Sequence, residues 1–222
     1  LRYIDQIPAS GITEEDRSMI KGEALFLRGY QYFLLVNNYK EVPLRLIPSN
    51  EDETNKGPAS EAALWTQVEE DLGNAIKCNL PVERTTAKER VTKGAAIAML
   101  GKVYATQHKY PEAKQLLVSL LSAPYSYELV DDFAKNFTNE EEFNKESVYE
   151  IAYSPDGEYS WSNESGICLG CYIPQFIGPV KSGGWAKLMP NSLIVGEFTN
   201  ETRPGDADTK FDKRMYASLF FD

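Results

Sequence analysis

The sequence predicts a mainly α-helical body followed by a loop-rich, aromatic-containing part, and three observations carry that reading. Between Glu14 and Asn38 nothing breaks a helix, so about 25 residues at about 1.5 Å each form a rod of nearly 40 Å. Three further stretches repeat apolar residues at spacings of three and four, each opened by a hydroxyl cap or a proline. From Ser154 to Pro190, by contrast, Gly, Ser, Pro and large aromatics alternate without any helical period.

Taken in order, Thr13 followed by Glu14-Glu15-Asp16 is a helix start, with a hydroxyl cap and acids facing the positive end of the macrodipole. Ile20, Ala24, Leu27, Gln31 and Leu34 give the expected stripe, and Phe26, Tyr30, Tyr32 and Phe33 widen it on both sides. Such a helix is buried over most of its circumference. Asn37-Asn38 ends it and Pro43 forbids a restart. After a polar loop from Pro48 to Pro58, Ser60 caps a second helix with Leu64, Val68, Leu72, Ala75 and Ile76 on one face. Residues 82–91 are charged. Thr92 caps a third helix rich in small residues, among them Gly94, Ala95, Ala96, Ala98, Gly101 and Ala105. Pro111 opens a fourth, where its missing N–H costs nothing, with Ala113, Leu116, Leu117, Leu120 and Leu121 as the core face. Counted from Ile97, the positions Leu100-Gly101, Tyr104, Tyr110, Ala113, Leu117 and Leu120 have the spacing of a tetratricopeptide unit, with Gly101 and Ala113 at the helix crossing. The first two helices match that repeat poorly, so a regular solenoid is not expected.

Beyond Ser122 the character changes. Ser147 to Tyr153 is β-branched and aromatic, which predicts a short strand, and Ser192 to Phe198 returns to helix. The irregular stretch between them is too aromatic for disorder, and a loop of that length inside a domain is usually functional. The acidic run Asp206, Asp208 and Asp212 offers oxygen ligands for Ca²⁺ but lacks the Gly and Glu of an EF-hand, so a solvated turn is the simpler reading and no metal is assigned. Cys168 and Cys171 have the spacing of a redox pair or half a zinc site, yet the chain's single His, His108, is far away and the usual βαβ context is missing, so two free or bridged thiols in a loop are the simpler reading. His108 itself reads as a solvated or capping residue at a helix end, and Cys78 as a small core residue.

Composition narrows the function. The chain of 222 residues carries 23 Lys and Arg against 33 Asp and Glu, a formal charge of −10, which disfavours nucleic acid and anionic lipid. No apolar run approaches a membrane-spanning length. The chain starts at Leu1 and stops within the apolar run Leu219-Phe220-Phe221, which suggests a fragment of a longer polypeptide. No nucleophile elbow, P-loop, zinc motif or Ser/His/Asp arrangement is present, so an enzyme is not expected and nothing calls for a cofactor.

The order of motifs resembles the SusD/RagB family of outer-membrane lipoproteins. The resemblance is carried by Glu23-Ala24-Leu25-Phe26-Leu27-Arg28-Gly29-Tyr30, Tyr39 and Val42-Pro43-Leu44, and by Asp71-Leu72, Ala75-Ile76 and Leu80-Pro81. It continues through Thr92-Lys93-Gly94-Ala95-Ala96, Leu100, Val103-Tyr104, Tyr127-Glu128-Leu129, Glu146 to Ile151, and Gly184-Trp185 before Pro190. Lys40 departs from it, since the family usually has Gly there. The resemblance implies an α-helical body of tetratricopeptide-like helix pairs with irregular segments and a few short strands. It also implies a surface lipoprotein, anchored by a lipid outside this chain, that binds an oligosaccharide or other nutrient and delivers it to a TonB-dependent transporter of the SusC type. Residues 1–222 read as a single domain of this kind, helical over 13–122 and loop-rich over 123–222. The alternative is a tetratricopeptide-type interaction scaffold with no glycan site of its own.

Phe26 and Phe33, at helical spacing, are expected in the core, as are Trp185 and Phe176. The ligand is placed elsewhere. Tyr159 and Trp161 stand among Asp156, Gly157, Glu158, Ser160 and Ser162, and Asn163 and Glu164 can take sugar hydroxyls. Aromatic rings flanked by polar residues are the pattern of an exposed binding surface, and Tyr172 extends it. The expected contacts are therefore Tyr159, Trp161, Asn163, Glu164 and Tyr172, and the alternative is that these rings pack over the helices as a lid.

Overall fold

A computed structural model of the chain describes residues 1, 3–8, 10–47, 55–153, 173–200, 212 and 214–219. The chain divides into two compact units, Leu1–Leu129 with Lys145–Glu150, and Val130–Asn144 with Ile151–Asp222.

The first unit is built from four helices, α1 (Glu14–Tyr39), α2 (Glu61–Lys77), α3 (Lys93–Thr106) and α4 (Tyr110–Ser119). The hydroxyls of Thr13, Ser60 and Thr92 each accept from the backbone N–H three residues on, and Pro111 lies in the first turn of α4. Each helix packs on the next in sequence, and α1 also touches α3. Phe26, Val36, Leu64, Val68, Leu72 and Val103 are buried essentially completely between them.

The buried face of α1 is only partly the expected one: Phe26, Tyr32 and Phe33 are buried as expected, but the central stripe is not. Ile20, Leu27 and Leu34 stay more than a third exposed, while Gly22, Leu25, Phe26, Gly29, Tyr32, Phe33 and Val36 are buried. Two apolar stripes compete on this helix, and the glycines decide between them. A Cβ on Gly29 would lie 3.0 Å from Leu72 Cγ, and one on Gly22 would lie 2.8 Å from Cys78 Cβ. The side that lets α2 approach most closely is the side that is buried. On α4 the same correction applies on a smaller scale. Ala113 and Leu120 are buried as expected, but Leu117 is 40% and Leu121 78% exposed.

The tetratricopeptide register holds at its tightest point. A Cβ on Gly101 would sit 2.7 Å from Leu117 Cδ2 and 2.8 Å from its Cγ. Gly101→Leu should therefore overpack the crossing and cost about 1–3 kcal/mol. An unchanged midpoint in denaturant unfolding would refute this assignment of the helix contact.

Helix α1 ends at Lys40, which adopts φ 64° and ψ −62°, in the left-handed half of the map that favours Gly. The departure from the family's Gly is accommodated locally. Lys40 Nζ lies 3.1 Å from Glu61 Oε1, and the same oxygen accepts from Trp65 Nε1 at 3.2 Å. These hydrogen bonds, Lys40 first and Trp65 second, hold the Glu61 carboxyl below the usual range.

In the second unit, a 3-10 turn over Phe133–Phe137 packs against α7 (Arg214–Ser218), which also contacts α6 (Ser192–Asn200); α5 (Ile173–Ile177) precedes both in sequence. Helix α6 matches its expected position. Among the described residues there is no strand. The short strand expected over Ser147–Tyr153 is irregular backbone, because its aromatic residue Tyr149 packs into the helical core rather than pairing in a ladder.

Candidate functional site

The residues expected to hold the ligand, Tyr159, Trp161, Asn163, Glu164 and Tyr172, lie outside the described residues, as do Cys168, Cys171, Asp206 and Asp208. The structure describes the chain on either side of that segment. Ahead of it, the Glu128 N–H donates to the Lys145 carbonyl at 3.0 Å, and the Tyr149 ring meets Phe26 edge-on at 5.0 Å and Tyr30 at 6.4 Å. Burial, then the neighbouring Tyr30, pushes the Tyr149 hydroxyl above its ordinary range. Two residues later the environment is open, with Ile151 and Tyr153 each half exposed.

Behind the segment, α5 runs into a tightly closed loop. Gly183 takes φ 82°, which glycine adopts without cost. Gly184 then passes so close to Gly178 that a Cβ would lie 2.1 Å from the Gly178 carbonyl oxygen. The backbone N–H groups of Trp185, Ala186 and Lys187 donate to Gln175, Gly178 and Phe176 at 2.7, 2.9 and 2.9 Å. This closure sets the Trp185 ring edge-on to Phe176 at 5.3 Å and 60°. Trp185 is half-buried, as expected of a packing residue, whereas Phe176 is packed on one side and 44% exposed on the other.

The motif residues that carry the family resemblance find one another in the first unit. Arg28 donates from Nε and Nη2 to the two oxygens of Asp71 at 2.7 and 2.6 Å, and Gln67 adds a third donor at 2.9 Å. The Arg28 guanidinium is held above its ordinary pKa, chiefly by the hydrogen bonds to Asp71. Glu23 accepts from Arg84 and, at 2.6 Å, from Arg90, while Arg84 Nε also reaches the Val91 carbonyl at 3.1 Å. Gly94 is overlain by Tyr127, whose hydroxyl would fall 2.2 Å from an added Cβ. These are packing roles.

Sequence reading missed Asp71, Gln67 and Arg28 as a unit. The signal was available, since Gln67 and Asp71 fall on the same face as Leu64, Val68 and Leu72 and interrupt an apolar stripe. Of the other polar candidates, Asp212 is buried and accepts from Arg214 Nε at 2.7 Å and its N–H at 2.9 Å. Among the described residues no group of three His, Cys, Asp or Glu is placed to hold a metal, and no helix is long and apolar enough to cross a membrane. Tyr39, at the end of α1, is 69% exposed and outside the core.

Two family models match the chain. One, SusD-like and described as starch-binding associating with outer membrane, covers residues 2–105, and the SusD family model covers residues 145–222. A laminarin-binding SusD-like protein of known structure is 32% identical, with a TM-score of 0.67 over 73% of this chain and 36% of its own. A SusD superfamily protein from Bacteroides vulgatus is 30% identical, with a TM-score of 0.77 over 96% of this chain and 42% of its own. Surface glycan-binding protein A from Bacteroides thetaiotaomicron, solved with laminarihexaose, shares the fold at 22% identity, with a TM-score of 0.59 over 68% of this chain and 31% of its own. The chain thus spans well under half the length of these solved structures. No curated protein sequence matches it. The first model spans Glu23, Arg28, Asp71 and Gly94, whose partners the structure shows, and the chain belongs to the SusD/RagB family.

Proposed function

We propose that this chain is part of a non-catalytic, lipid-anchored surface protein that captures oligosaccharides and hands them to a TonB-dependent transporter of the SusC type. The observation that carries the reading is its likeness, at 32% identity, to a protein that binds laminarin. The placement of side chains supports it. In the first unit Glu23, Arg28, Gly29, Asp71 and Gly94 are taken up by internal contacts, and irregular segments are where binding residues concentrate. Tyr159, Trp161, Asn163, Glu164 and Tyr172 supply what a sugar needs there, with rings for its C–H faces and polar groups for its hydroxyls. Each ring contact adds about 0.5–1.5 kcal/mol beyond its area, so three or four give millimolar to micromolar affinity after the cost of association. Weak binding suits a protein that passes its ligand on.

The scaffold reading keeps one specific support, the exposed Leu117, Val118 and Leu121 on and just after α4, and the two roles are compatible. Affinity gels cast with a panel of polysaccharides, laminarin among them, test capture directly, and the protein should be retarded by at least one. Incubation with the same panel should release no reducing ends. Sustained release that a single Asp or Glu substitution abolishes would contradict a binding protein.

A further inference from the structure

We propose that the turn between α3 and α4 is a second carbohydrate contact, formed by Tyr110 and His108 together with the polar groups of the flanking Gln107 and Lys109. Tyr110 occupies a tetratricopeptide signature position, where packing is expected, yet it is 60% exposed. It is nevertheless held in place. Its hydroxyl lies 2.7 Å from His108 Nδ1, and the two rings meet edge-on at 5.7 Å and 66°. His108 takes φ 61°, the left-handed position after a helix where Gly costs least.

In the same turn, Gln107 Nε2 and Lys109 Nζ converge on Glu69 Oε1 at 2.7 and 2.5 Å, and Lys109 lies 5.6 Å over the Tyr104 ring. The surface of this turn therefore combines a standing aromatic ring with amide, carboxylate and ammonium groups whose positions are already set. Pre-ordered groups lose little entropy on binding. A hydroxyl-rich ligand with a C–H face fits that combination, whereas an apolar partner would bury the Glu69–Lys109 pair at a desolvation cost.

The inference rests on the glycan reading but concerns a different part of the chain. His108 is the single histidine, so its imidazole signal in NMR of the untagged full chain is unambiguous. Titration with laminarihexaose, or with whichever panel glycan retards the protein, should shift that signal in the wild type and in Trp161→Ala. Tyr110→Ala should weaken retention on the polysaccharide gel about two- to tenfold while its circular dichroism stays native. Tyr110→Phe, which keeps the ring, should retain most of the binding. If the wild type binds a glycan but the His108 signal is unmoved and Tyr110→Ala binds equally well, the second contact is wrong and the glycan reading stands. If no panel glycan is bound, the glycan reading itself fails and this contact with it.

Discussion

Asp71→Ala is expected to destabilise the protein by about 3–5 kcal/mol, because it leaves the Arg28 guanidinium without its buried partner. Asp71 is 1% exposed and accepts from Arg28 twice and from Gln67 once. Removing it strands three N–H donors in an apolar setting. The Arg28 side chain keeps 23% exposure, so some water reaches the freed charge and the lower end of that range is expected. Denaturant unfolding measures the loss. The paired change Arg28→Met with Asp71→Leu is the control, since replacing both members of a buried pair by apolar residues is often nearly neutral. A loss below about 1 kcal/mol for Asp71→Ala would show that the pair does not hold α1 to α2.

Phe26→Ala is expected to be comparably severe, at about 3–5 kcal/mol, because it empties a site with almost no access to solvent. The ring is 1% exposed, stacked 6.2 Å from Tyr30 and edge-on to Tyr149 at 5.0 Å. Tyr149 reaches this cluster from Lys145–Glu150, a segment far away in sequence, so the substitution also loosens the point where that segment joins the helices. For a chain of this size the loss corresponds to a fall of about 6–20 °C in the thermal midpoint. A fall of less than about 2 °C would contradict the assignment of Phe26 to the core.

These two sites show which parts of the molecule could be read from the sequence. Helix starts were legible because a hydroxyl cap is a local signal, and Thr13, Ser60 and Thr92 each make the bond their position predicts. The crossing of α3 and α4 was legible in part because a repeat spacing encodes a contact: Gly101 lies in the crossing as expected, with Leu117 rather than Ala113 as its nearest neighbour. The face of α1 was not legible. Ile20, Leu27 and Leu34 fit a helical stripe as well as Leu25, Tyr32 and Val36 do, and only the close approach of α2 at Gly29 separates them. The interrupted stripe of α2 marks Asp71 as a buried polar residue, but its pairing with Arg28 is long-range and no local period names the partner. Irregular segments carry the least positional information, since their side chains answer to no helical or strand repeat. The expectation for Trp161 accordingly rests on residue chemistry alone.

We propose that the chain binds glycan through the segment around Trp161. Calorimetric titration of the full-length protein and its Trp161→Ala variant with laminarin oligosaccharides tests it most directly. Micromolar to millimolar binding by the wild type is expected, with at least a tenfold loss in a variant whose circular dichroism is unchanged. Equal affinity in the folded variant would remove Trp161 from the site, and no binding by the wild type to any glycan of the panel would contradict the claim as a whole.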